Sequence, residues 1–226
     1  DNPQIQGEIA LRQGTINDRS LPNSIEGNFN YTNSRLQFNT TEPSFIQVQA
    51  NVPLPTRSLK GDRFNINAKL TTEAFALVDA VTNGQVNFLG GEGEVTLDAS
   101  GNLNLGQSTP LSNLTAKGNA TLQNATLKSA AFPEPLNLNT QIALNNQLLE
   151  VKQLQGSFAK SKLSASGVLP LLTPIGNLSN PLTIAIDKGK IDLTGLYKGD
   201  LDGNIIVTGA VLNPVFGGKI NLQDGQ

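Results

Sequence analysis

The stretch LGGEGEVTL sets Glu92 and Glu94 two residues apart. On a strand they would project from one face about 6.6 Å apart, near the carboxyl separation of inverting glycosidases. Such a pair stands side by side along one strand, whereas glycoside hydrolysis needs carboxyls on either side of a bond. A solvated strand face beside a glycine turn is the better reading. The same stretch matches the calcium-binding pattern GGxGxDx only in part, because Val95 stands where Asp is needed and there is one copy. DLDGN places Asp200 and Asp202 beside Gly203, but no third acidic ligand or distal Glu follows as a calcium loop requires. A tight hairpin turn is expected there instead.

The 226 residues include no His, Cys, Met or Trp. Ser-His and Cys-His nucleophiles and imidazole or thiolate metal ligands are therefore excluded, and neither an enzyme nor a cofactor is indicated. Only 15% of the chain is charged, with a net charge of −2 and no basic run, which argues against nucleic acid. A chain that starts at Asp1 without Met reads as a processed or excised piece. No apolar stretch approaches the roughly 18 residues of a membrane span. The nearest, residues 163 to 186, is uncharged but is broken by Pro170, Pro174 and Pro181 into an apolar loop.

What must position any functional side chain is alternation. LNLNTQIALN puts Leu136, Leu138, Ile142 and Leu144 on one face and Asn137, Asn139, Gln141 and Asn145 on the other, which is a half-buried strand. RFNINAKL sets Phe64, Ile66, Ala68 and Leu70 against Arg63, Asn65, Asn67 and Lys69. LTAKGNATLQ sets Leu114, Ala116, Ala120 and Leu122 against Thr115, Lys117 and Asn119. Further strands are expected near 4–12, 28–40, 45–52, 85–98, 102–106, 148–154, 157–168, 182–187, 190–196, 204–211 and 218–223, about fourteen in all. TTEAFALVDAVTNG breaks the pattern: Ala74, Leu77, Val78 and Val81 have helical spacing behind Thr71 or Thr72, and Gly84 supplies a stop, predicting one helix near 73–82. Fourteen strands with one short helix must be joined mostly as antiparallel hairpins. No composition shift divides the chain, so 1–226 reads as one continuous segment.

An all-β chain with one wet face leaves a sandwich, a β-solenoid or a long sheet curled around an apolar concavity. No fixed period supports a solenoid. Nine Phe, two Tyr and no Trp are few aromatics for a sandwich core, and the apolar face is largely Leu, Ile, Val and Ala. An aliphatic wall is compatible with the curled sheet, although composition does not show whether such a wall is filled. The wall of the curled sheet would comprise Ile5, Ile9, Leu11, Leu36, Phe38, Phe64, Ile66, Leu70, Leu114, Leu122, Leu136, Leu138, Ile142 and Leu144. It would continue through Ile184, Ile186, Ile191, Leu193, Ile205, Val207, Ile220 and Leu222. The apolar loop 169–182 and the helix are expected to cap sheet edges, with a gate that enters the concavity as the alternative.

One phrase marks both ends. NPQIQGEIALRQG (2–14) and NPVFGGKINLQDG (213–225) share Asn, Pro, Gly, Ile, Leu and Gly at six of thirteen aligned positions. Each reads as a turn that opens a strand, so the pair suggests an array of repeated modules, coincidence between common turn residues being the alternative. ALVDAVTNGQVNFLGGEGEVTLDASG (76–101), GNATLQNATLKSAAFPEPLNLNTQIAL (118–144) and NPLTIAIDKGKIDLTGLYKGDLDGNIIVTGAVLNPVFGGKINLQDGQ (180–226) together resemble the TamB family. The likeness is to its C-terminal half, and to cyanobacterial and plastid members in particular. LEVKQLQGSFAKSKLSASGVLPL (149–171) resembles strand pairs of the wider AsmA-like group. These motifs are structural and carry no catalytic signature.

The resemblance implies a large envelope protein, anchored in the inner membrane by an N-terminal helix, whose strands curl into a trough-shaped β-taco across the periplasm. It implies that phospholipid acyl chains occupy the trough, so that the apolar residues named above would line a lipid groove. It also implies contact with an outer-membrane assembly barrel that has periplasmic domains. This chain would be a middle-to-late trough segment, shielding acyl chains between the two membranes. The alternative is a scaffold for outer-membrane protein assembly, with open sheet edges pairing with the barrel or its clients by β-augmentation.

Overall fold

The structure is a computed structural model. It describes residues 3–17, 19–21, 23–54, 62–104, 111–129, 134–158, 161–171, 173–176, 178–193, 197–211 and 213–223. Strands β1 (Ile5–Leu11), β2 (Thr15–Ile16), β3 (Arg19–Ser20), β4 (Ile25–Thr32), β5 (Arg35–Thr40), β6 (Ile46–Pro53) and β7 (Asp62–Leu70) come first. A 3-10 turn at Thr72–Ala76 then runs into a one-turn helix, α1 (Leu77–Val81). β8 (Val86–Leu103), β9 (Leu111–Ser129), β10 (Leu136–Asn145) and β11 (Leu148–Phe158) follow, then β12 (Ser161–Pro170), β13 (Leu182–Leu193), β14 (Tyr197–Ala210) and β15 (Asn213–Gln223).

All but β2 and β3 form one antiparallel sheet of thirteen strands in the order β1-β4-β5-β6-β7-β8-β9-β10-β11-β12-β13-β14-β15. It is a meander throughout, as expected for strands joined by short polar turns. The turn between β4 and β5 shows the local cause: Asn33 and Ser34 both take positive φ, the backbone a two-residue hairpin needs to match strand twist. β1 and β15 do not pair, so the sheet stays open. β2 and β3 form a separate hairpin between β1 and β4.

The sheet is curled, with its apolar face inward. Along β10, Asn137, Asn139 and Gln141 are exposed, whereas Leu138 is buried and Leu136, Ile142 and Leu144 are half-buried. A flat single layer would leave both faces equally open. β11 approaches β13, and β12 approaches β14, within 8 Å at Cα positions, closer than the about 9.6 Å between alternate strands of a flat sheet. At the rim, the Pro170 carbonyl accepts from Val211 N–H at 2.8 Å, bridging over β13.

Several boundaries differ from those expected. The segment 28–40 is a hairpin, β4 and β5, while 85–106 is covered by one long strand, β8, up to Leu103. Gly90 and Gly91 form a bulge inside β8, where the register slips on both sides of Gly90, rather than a turn. DLDGN lies within β14 and is not a hairpin turn, because Asp200, Leu201, Gly203 and Asn204 pair on both sides, with β13 and β15, and Asp202 pairs with β15 opposite a bulge in β13. The apolar segment 163–186 is strand as far as Pro170 and again from Leu182, so the loop is confined to the residues between.

Bulges are held by side chains, which satisfy the backbone groups that a slipped register would orphan. Asn124, at positive φ in β9, donates its N–H to Asn139 Oδ1 at 2.8 Å. Lys188, at positive φ in β13, donates its N–H to Asp202 Oδ1, and its carbonyl accepts from Ser161 Oγ. The long β8 runs beyond the end of β7, and two threonines stand in for the missing partner strand. Thr72 Oγ1 donates to the Gly93 carbonyl at 3.0 Å and accepts its N–H at 2.9 Å. Thr82 Oγ1 accepts the Val86 N–H at 3.1 Å and donates to the Val78 carbonyl at 2.6 Å.

Candidate functional site

Register transfers each strand's apolar face to the next, because directly paired residues share a face. Ile9 pairs with Gly27, and Ile5 with Tyr31. Phe29 pairs with Phe38 and Tyr31 with Leu36. Leu36 pairs with Val52, Ile46 with Leu70, and Phe64, Ile66 and Leu70 with Gly101, Ala99 and Val95. Ala120 and Leu122 carry the face from β8 to Ile142 and Thr140 of β10. From there it passes through Val151 and Leu154 to Ala165, Ile184, Ile205 and Gly218. One apolar wall therefore crosses all thirteen strands.

The expected wall residues fall on that face, but their access differs. Phe64, Leu138 and Val207 are buried. Leu36, Phe38, Ile66, Leu70, Leu122, Leu136, Ile142, Leu144, Ile184, Ile186 and Ile205 are half-buried. Ile5, Ile9, Leu11, Leu114, Ile220 and Leu222 are exposed, Ile9 at 52% and Ile220 at 50%. Leu114 shares the face by alternation from Ala116, next to the bulge at Asn113. Ile191 and Leu193 pair with Gly199 and Tyr197; their side chains lie outside the described residues. The wall is thus covered in the middle of the row and open at both edge strands.

Alternation alone missed three contributors. Phe158 is 1% exposed, and the hairpin that separates it from its partner Ser161 was hidden inside a segment read as one strand. Phe29 pairs across from Gly7, whose missing side chain leaves room for the ring: a Cβ there would meet it at 2.9 Å. Phe75 reaches the wall from the 3-10 turn, its ring packing 5.5 Å from that of Phe88 and lying over Gly93. The helical segment therefore sits on the apolar face of β8 and β9, at the end where β8 outruns β7.

That cover is tied down by the β2–β3 hairpin. Asn17 Nδ2 donates to the Ala80 carbonyl at 2.8 Å, and Arg19 forms an ion pair with Asp79. At the opposite rim, Leu171 N–H bonds to the Gln147 carbonyl at 2.7 Å and Val168 N–H to the Asn180 carbonyl at 2.9 Å. Thr173–Gly176 stays exposed at that rim. Leu172, within the loop 169–182 expected to cap or gate, lies outside the described residues.

The outer face carries the polar side chains, and there Glu94 and Asp200 are engaged in ion pairs. Glu94 Oε2 pairs with Lys69 Nζ at 2.6 Å, and Asp200 with Lys190 at 3.9 Å. A recess of about 1050 Å³ crosses this face from β9 to β15, lined by Asn137, Asn139, Gln155, Lys162, Asp187 and Asn204 among others. Its Asn139 and Asp202 are already bound to the bulges. Among the described residues no group of three or more His, Asp or Glu could hold a metal ion. No helix among them is long and apolar enough to cross a membrane. Comparison with family models, with curated proteins and with solved structures finds no match to this chain.

Proposed function

We propose that the chain is a trough segment of a bridge-like lipid transfer protein in the cell envelope, and that phospholipid acyl chains lie along its apolar wall. The observation that carries this reading is the continuity of that wall over thirteen strands of an unclosed sheet, half-buried over much of its length and exposed at both edge strands. The chain exposes 14027 Å², whereas a compact monomer of 23.9 kDa exposes about 9,900 Å². Hydrocarbon laid on the wall is stabilised by about 2.5 kcal/mol for each 100 Å² removed from water. Thirteen strands span about 58 Å in the hydrogen-bonding direction, and half a bilayer core is about 15 Å thick, so more than one acyl chain fits. A wall of Leu, Ile, Val, Ala and Phe offers no directional bond, which suits a chain that must slide.

The resemblance to the TamB family supplies the envelope setting, the inner-membrane anchor and the outer-membrane barrel as partner. A second reading, a scaffold that pairs with the barrel or its clients by β-augmentation, draws on β15, all eleven of whose residues are exposed. Native mass spectrometry of the protein purified in mild detergent tests the conduit. Bound phospholipid, displaced when half-buried wall residues such as Ile66 and Ile184 are changed together to Asn, is the expected result. A lipid-free spectrum from membranes rich in phospholipid would contradict it.

A further inference from the structure

We infer that the polar recess on the outer face is a binding site for a neutral linear oligosaccharide lying across β10 to β14. All five strands are paired on both sides, so the floor of the recess is closed sheet and recognition falls to side chains. Register lays these in two rows. Asn137, Ser157, Lys162 and Asp187 are directly paired from β10 to β13. Asn139, Gln155, Ser164, Ala185 and Asn204 are directly paired from β10 to β14. The rows lie about 6.8 Å apart along the strands, and four steps between strands span about 19 Å. Ser157, Ser164 and Ala185 are short, which lowers the floor beside Gln155, Lys162 and Asn204. The recess holds about 1050 Å³, just above the about 300–1,000 Å³ of sites for drug-sized molecules, and its length suits an extended ligand.

The polar lining is amide and hydroxyl with one ammonium, from Lys162, and two carboxylates, from Asp187 and Asp202; no aromatic ring stands among the described lining residues. Two carboxylates against one ammonium disfavour a polyanion, and amides give no apolar anchor to a lipid tail or a peptide side chain. A sugar hydroxyl both donates and accepts, and this surface offers it both. Two amides are set in place before any ligand arrives. Asn139 Oδ1 accepts the Asn124 N–H at 2.8 Å, and Asn137 Oδ1 accepts from Thr126 Oγ1 at 2.9 Å. Both side chains are thereby fixed, leaving their NH₂ groups to donate. Asp202 Oδ1 likewise accepts the Lys188 N–H, leaving Oδ2 to accept. Fixed groups lose less freedom when a ligand binds. Without a ring to stack on, each sugar unit is held by hydrogen bonds of small net worth in water, so affinity must come from several units engaged together. The site lies on the face opposite the apolar wall and does not rest on the lipid reading.

NMR titration of the ¹⁵N-labelled full chain with neutral oligomers of glucose and of N-acetylglucosamine, from dimer to hexamer, tests the site. The expected result is a shift of the Asn137 and Asn139 side-chain NH₂ signals. Affinity should rise at least about tenfold from dimer to hexamer and stay unchanged between low and high salt. Gln155 and Asn204 are exposed, and neither side chain holds a bulge. Gln155→Ala combined with Asn204→Ala should weaken hexamer binding at least about tenfold while circular dichroism stays that of the parent chain. No shift at these amides with either hexamer, affinity independent of oligomer length, tighter binding of a galacturonate hexamer, or undiminished binding by the folded double variant would overturn the site.

Discussion

Leu138 and Ile220 have the same chemistry and the same face, yet the curl gives them different surroundings. Leu138 is 6% exposed, and Ile220 is 50% exposed on a strand with one neighbour. A carboxylate at 138 would be an unpaired buried charge, costing several kcal/mol against a total stability of about 5–15 kcal/mol. Leu138→Asp is therefore expected to lose the cooperative urea transition, while Ile220→Asp keeps its unfolding free energy within about 0.5 kcal/mol, as exposed substitutions do. Equal midpoints for the two variants would mean that the centre of the wall is as open as its edge. Sequence alternation assigns both residues to the apolar face but carries no depth, because depth depends on how far neighbouring strands bend around each position.

Among the elements, the helical segment was legible as a break in period 2, but its role was not. The 3-10 turn and α1 together span about ten residues, too few for an isolated helix to persist in water, so their neighbours must hold them. Phe75 anchors the segment to the wall, Thr72 and Thr82 close the edge of β8, and Arg19 reaches Asp79 from the β2–β3 hairpin. That last contact joins residues sixty positions apart and leaves no local pattern in the sequence. Arg19→Ala removes a partly exposed ion pair worth about 1 kcal/mol. Amide exchange across 72–82 is then expected to quicken roughly fivefold, with β10–β12 unchanged by hydrogen-exchange mass spectrometry. Quickening of β10–β12 to the same degree would show that the cap and the sheet unfold as one unit. Hairpins and bulges were illegible for a related reason: Asn and Gly are common throughout, and a one-residue slip is fixed by bonds such as Asn124 to Asn139 on a neighbouring strand.

For the whole molecule, the sheet class, its antiparallel meander and its two-sidedness were legible, because alternation repeated over a dozen strands admits few layered solutions. How much of the apolar face stays exposed was not, since no local pattern sets how far neighbouring strands curl over it. Thirteen strands in one unclosed sheet carry apolar residues from Ile9 to Ile220 on a single face, buried at Leu138 and exposed at both edge strands, and the proposed function assigns phospholipid to that face. Site-specific photo-cross-linking to phospholipid tests this most directly, with cross-linkers at Ile66 and Ile184 on the apolar face and at their neighbours Asn67 and Ala185 on the polar face. Acyl-chain adducts at 66 and 184, with little or no labelling at 67 and 185, are the expected result. Equal labelling from the two faces, or none from 66 and 184 in lipid-loaded protein, would contradict the lipid groove.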